Sequence, residues 1–126
     1  MTHAQAFYSF WASFGIPAYE ENSVPTGDDA PAFPYITYQY AMDGYDAQTV
    51  LTASVWYRSS SPRQVEEKTA EIAAALQNKK RRLLLLDKGA MLLRPGLPFA
   101  QLMGDESDDL IKRMVLNVEV LFVNTF

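Results

Sequence analysis

The order of hydrophobic periodicities along the chain predicts an α+β fold: a single domain with a largely antiparallel, mixed sheet, and an N-terminal and a central helix packed on one face. Three observations carry that expectation. Apolar residues recur at helical spacing near the N-terminus and again after residue 61. Runs dense in β-branched and aromatic residues occupy 35–40, 48–57 and 111–123. Short clusters of Gly, Asp and Asn separate neighbouring runs, as hairpins require. Apolar residues make up 48% of the 126 positions, which supports a core and argues against disorder. A chain of this length suits one domain, 1–126, burying about two thirds of its unfolded surface.

The first helix has its start written beside it. Thr2 and Gln5 supply the two halves of a capping box, with Thr2 as N-cap. Phe7, Phe10, Trp11 and Phe14 follow at i, i+3, i+4, i+7, making one face almost wholly aromatic, and Gly15 and Pro17 end the helix. So short a helix does not persist alone, so this face is expected to anchor on the sheet. Residues 18–34, rich in Pro, Gly, Asp and Asn, read as a long loop. "YITYQY" and "QTVLTASVWY" read as a strand pair joined through "MDGYD". Alternation places Trp56 and Tyr57 on opposite faces.

The segment 61–78 is the clearest element. Ser61 is placed to cap, Pro62 takes the first helical position, and Gln64 is placed to complete a second capping box. Val65, Thr69, Ile72, Ala73 and Leu76 form its apolar stripe. "RRLLLL", the turn "DKG" and "AMLLR" then read as another hairpin. A loop through "PGLPF" and the acidic cluster at 105–109 leads into "IKRMVLNVEVLFV". There Met114, Leu116, Val118, Val120 and Phe122 share one fully apolar side, opposite a mixed side.

Charge is segregated. The net value of −4 argues against tight electrostatic binding of nucleic acid. Residues 20–46 carry six acids and no base; 79–94 carry six bases against Asp87 alone; 105–109 hold four acids in five positions. Opposite blocks on one small domain suit a head-to-tail contact between copies, and equally suit two solvated patches. No run reaches the roughly 20 apolar residues that span a bilayer, and the N-terminus lacks the basic start and cleavage site of a signal peptide. Cysteine is absent, which fits a reducing compartment and removes thiol chemistry and Cys-ligated zinc.

Catalytic chemistry is poorly supplied. The one histidine, His3, lies in a first turn expected to fray, and the six glycines are scattered, with no phosphate-binding loop. "DESDDLIKRMVL" departs from an EF-hand loop: it lacks the sixth-position Gly and puts Leu116 where the bidentate Glu belongs. Asp105 and Asp108 are more simply acceptors for backbone N–H groups as the chain turns. "EEK" at 66–68 matches half of a metal-dependent nuclease pattern. In a helix, however, Glu66 and Lys68 point about 200° apart. A base-stacking surface of Tyr35, Tyr38, Tyr40 and Tyr57 is a further alternative, set against the acidic Asp43 and Asp46 beside it.

"FWASFGIPAYEENSVP", "FPYITYQY", "VWYRSSS", "LRPGLPFAQLMGDESDD" and "IKRMVLNVEV" occur in an order and spacing that resembles the tail terminator (tail completion, or minor tail protein) family of long-tailed bacteriophages. The likeness covers nearly the whole chain. It implies a structural protein, not an enzyme, without cofactor or metal. Members form a hexameric ring on the head-proximal end of the tail tube. That ring ends tube polymerisation and offers the surface on which the head docks. The implied partners are copies of itself, the tail tube protein and a head-completion or connector protein. DNA is only cargo through the lumen, no membrane is involved, and the location is the virion tail after assembly in the host cytoplasm. A head–tail joining adaptor is the nearest alternative. Pattern matches place Phe33, Pro34 and Tyr35 at the opening of the first strand and Trp56, Tyr57 and Arg58 at the close of the second, in architectural roles. Pro98, Phe99, Gln101 and Asp105, with Glu106, Asp108 and Asp109, belong to a contact loop. Lys79, Lys80, Arg81 and Arg82 supply the complementary basic patch.

Overall fold

A computed structural model describes residues 1–42 and 48–123. The sheet is built around its most apolar strand. β6 (Ile111–Val123) pairs antiparallel with β3 (Gln48–Arg58) on one side and β5 (Ala90–Gly104) on the other. β2 (Tyr35–Tyr38) adds antiparallel to β3, and β4 (Leu83–Leu85) antiparallel to β5. β1 (Ala18–Glu20) runs parallel to β2, which gives the order β1-β2-β3-β6-β5-β4. Alternation does the sorting: Met114, Leu116, Val118, Val120 and Phe122 are all buried, while the residues between them are partly exposed.

Both helices cover that apolar side. α1 (His3–Ala12) starts with the expected capping box: Thr2 Oγ1 accepts from Gln5 N at 3.2 Å, and Thr2 N donates to Gln5 Oε1 at 3.0 Å. Its Phe7, Phe10 and Trp11, with Phe14 just beyond, are buried edge-to-face against one another. Gly15 follows at φ 81°, a left-handed turn that glycine adopts without strain. α2 (Arg63–Gln77) lays Val65, Thr69, Ile72, Ala75 and Leu76 on β3, β5 and β6. One continuous core joins both helices to the sheet. Lys68 ties the helices together, donating from Nζ to the Phe14 carbonyl at 2.7 Å.

The sheet curls into a half-barrel, and α1 lies across its opening. α1 packs on β1 at one edge and β4 at the other. Phe7 meets Tyr38 edge-to-face at 5.6 Å, while the Met1 amino group pairs with Asp87 at 2.8 Å just past β4. His3 does not fray: its ring packs on Phe122, 5.6 Å away.

Four readings need correction. The loop expected over 18–34 contains β1 and a 3₁₀ turn at Gly27–Asp29, because Ala18 is drawn into the core beside Ile36. The "PGLPF" loop is instead part of β5, bulged between Pro95 and Ala100. Ala75, not Ala73, completes the buried stripe of α2. α2 starts at Arg63 with Pro62 as its N-cap, not its first residue; Ser61 Oγ does accept from Arg63 N at 3.2 Å, but Ser61 N donates to Ser59 Oγ at 3.3 Å, the role foreseen for Gln64. Most of "MDGYD", with Asp43 and Asp46, lies outside the described residues.

Candidate interaction surface

The acidic cluster forms the turn between β5 and β6, and two of its carboxylates shape that turn. Asp105 accepts from Ser107 Oγ at 2.6 Å and from Ser107 N at 2.8 Å. Asp108 accepts from Leu110 N at 2.9 Å and from Arg58 Nε at 3.0 Å. Each set favours the ionised form. The Ser107 hydroxyl and amide hold the Asp105 carboxyl below the usual carboxylate range, and the Leu110 amide and then Arg58 do the same for Asp108. Arg58 ends β3 and Asp108 precedes β6, so this ion pair fastens the turn to the sheet. Glu106 and Asp109 are exposed and make no ion pair among the described residues. No group of acids or histidines placed to hold a metal occurs among the described residues.

The basic block lies between α2 and β4. Asn78 organises it: its side-chain oxygen accepts from Lys80 N and Arg81 N, and its carbonyl from Arg82 N. Arg81, though exposed, is engaged within the chain, donating to Ser13 Oγ at 3.0 Å with its guanidinium 5.1 Å over the Phe14 ring. Lys79 and Lys80 are exposed and Arg82 partly so, with no ion pair among the described residues. The fold keeps the two blocks apart. The acidic turn follows Gly104, opposite Lys112, whereas Arg82 accepts from Leu93 N, opposite Val120. Eight steps along β6 separate those levels, about 27 Å.

A third feature lies on the outer face of the sheet. Tyr35, Trp56, Arg113 and Met103 are directly opposite one another across β2, β3, β6 and β5. Tyr35 and Trp56 stack at 6.0 Å and 18°, the Arg113 guanidinium sits 4.7 Å over Trp56, and Trp56 Nε1 donates to Thr37 Oγ1 at 2.9 Å. Phe33 and Tyr19 pack on Tyr35, with cis-Pro34 between Phe33 and Tyr35. The sequence reading puts Tyr35 at the start of β2 and Trp56, Tyr57 and Arg58 at the end of β3, as found, whereas Phe33 and Pro34 lie just before β2, and Arg113, Met103 and Tyr19 go unforeseen. The register that aligns them is a tertiary property.

The other proposed groupings disperse. Tyr38 is buried, its hydroxyl pushed up to about 12 by burial and then by Glu20 and Tyr8. Tyr40 and Tyr57 pack against the core, so the four tyrosines do not share a face. Tyr57, Gln64, Glu67, Lys68 and Glu71 line an open depression of about 260 Å³. Glu66 and Lys68 sit on α2, with Lys68 taken by Phe14 and Glu71. Pro98 and Gln101 are exposed on β5, Phe99 packs against the core, and the Pro98 carbonyl accepts from Asn117 Nδ2 at 2.8 Å. No protein-family model matches the chain, and no curated protein matches it in sequence.

Proposed function

We propose that this protein is a structural, non-enzymatic component of a bacteriophage tail, a tail terminator. In this reading it closes the tail tube as a ring and presents the surface on which the head docks. Its partners are further copies of itself, the tube protein and a connector protein, with DNA passing through as cargo. The supporting observation is the separation of the exposed basic turn 79–82 from the acidic turn 105–109. A ring that closes by rotation needs two different, complementary patches on each copy, and a domain with unlike charges at two ends supplies them. The deciding experiment is negative-stain microscopy of the protein with and without isolated tail tubes. Closed rings or capped tube ends are expected. Open fibres, or monomers that leave tube ends bare, would overturn the reading.

A further inference from the structure

Sheet edges recruit other strands unless they are short, charged, proline-bearing or covered. Among the described residues nearly every open edge is blunted in one of these ways. β1 has three residues and ends at Glu20, with Glu21 next. β4 has three, follows Arg81 and Arg82, and is capped at its far end by the Asp87 N–H donating to the Met1 carbonyl. β4 covers β5 only at Ala90–Leu92, and Leu93 N is taken by Arg82. Beyond that, Pro95, Pro98 and the bulge interrupt the edge.

Residues 48–51 of β3 also lack a described strand on their β2 side, but they adjoin residues outside the described ones. The uncharged, proline-free edge bordered by described chain at both ends is Ala100–Gly104, the sequence AQLMG. It pairs with β6 on one side and with no described strand on the other. Antiparallel alternation, carried through the register shift, turns the N–H and C=O groups of Ala100, Leu102 and Gly104 away from β6. Leu102 stands opposite Met114 on the core-facing side, yet remains 44% exposed. An apolar side chain facing the core side, 44% exposed, beside three donors and three acceptors with no partner among the described residues, is an unfinished strand pair.

We infer that residues 100–104 form a two-fold contact between two copies of this chain, the edge pairing antiparallel with itself and Leu102 meeting Leu102. Charge selects a second copy as the occupant. The acidic turn lies just past one end of this edge and the basic turn joins the same edge at Leu93. A two-fold rotation reverses one edge against the other, so each acidic turn moves toward the partner's basic turn and like charges stay apart. An unrelated basic strand would satisfy only one of the two turns. The bulge above and the turn below also limit slippage, so the pair closes and does not propagate. The contact goes beyond the ring reading. It engages both charged turns at once, so such a pair must open before its copies join head to tail; that consequence alone rests on the ring.

The chain has no cysteine, which makes the test direct. Residues facing each other in a hydrogen-bonded antiparallel pair have Cα atoms about 5.5 Å apart, within disulfide range. The full chain carrying Leu102→Cys, treated with copper–phenanthroline as oxidant, is expected to cross-link into a dimer. Leu97→Cys, at a 95% exposed position off the axis, is the collision control and should cross-link far more slowly. Sedimentation equilibrium of the unmodified chain should give twice 14.2 kDa, and Leu102→Lys should weaken the pair at least tenfold with an unchanged circular dichroism spectrum. A monomer at all concentrations, or equal cross-linking of the two cysteine variants, overturns the inference. Closed rings without the Leu102→Cys cross-link overturn it and leave the ring standing. A cross-linked dimer that, once reduced, never binds tube ends keeps the pairing and removes the ring.

Discussion

Gly96 marks the place where the bulge of β5 presses on β6. A Cβ there would lie 2.9 Å from Asn117 Cβ and 3.0 Å from the Asn117 carbonyl oxygen, contacts that backbone cannot yield cheaply. Gly96→Ala is expected to destabilise by about 1–3 kcal/mol, read from the urea midpoint. At the other end of the hairpin, Asp105 and Asp108 have folded-state pKa values lowered by hydrogen bonds. Their stabilising effect is therefore fully present above the unfolded carboxylate value, about 3.9, and lost as pH falls through the folded value. The double variant Asp105→Asn, Asp108→Asn is expected to flatten the loss of stability below about pH 4. A thermal-unfolding series against pH measures it. These roles were half legible: Asp followed two residues later by Ser or Leu announces a side-chain turn, but Arg58 as the partner of Asp108 needs the β3–β6 register.

At the level of elements, periodicity succeeded where a segment had one buried face and its own start signal. Thr2 and Gln5 specified where α1 starts, although it ends at Ala12, two residues short of the Phe14 that the aromatic repeat includes, and the alternation of 111–123 specified β6. It failed where pairing came from elsewhere. β1 is a strand only because β2 accepts it as a parallel neighbour, and three residues carry no period. The 95–99 segment reads as a loop because its prolines deny ladder bonds, yet β6 holds both flanks in the sheet. The cross-strand row on the outer face offers a test of element-level coupling. Tyr35→Ala and Trp56→Ala, singly and together, are expected to show a coupling energy of about 0.5–1.5 kcal/mol in a double-mutant cycle. Zero coupling would mean that the stacked rings add nothing to β2–β3 pairing.

For the whole molecule, the sequence located both charged blocks but not their relation to the sheet edge. It also treated four basic residues as equivalent, whereas Arg81 holds α1 through Ser13 and Phe14. The fair assembly variant is therefore Lys79→Glu, Lys80→Glu, Arg82→Glu with Arg81 retained. It is expected to keep its circular dichroism and melting temperature while assembly with copies or tube ends weakens, and more so at low salt. Unchanged assembly would remove these bases from the interface.

The position of α1 across both margins of the curled sheet also bears on how the chain reaches this state. The segment nearest Met1 finds its seat against strands some 80 positions later, β4 and the Asp87 turn. Four of the five strand pairs join consecutive strands, but the central one, β3 with β6, joins positions 53 (Arg58 and Ile111) to 73 (Gln48 and Leu121) apart. Loop closure must therefore precede the β3–β6 pairing and the seating of α1, which slows folding relative to a fold of local contacts alone. Until β5 and β6 exist, the aromatic face of α1 has no lasting cover, and a nascent or truncated chain carries it bare.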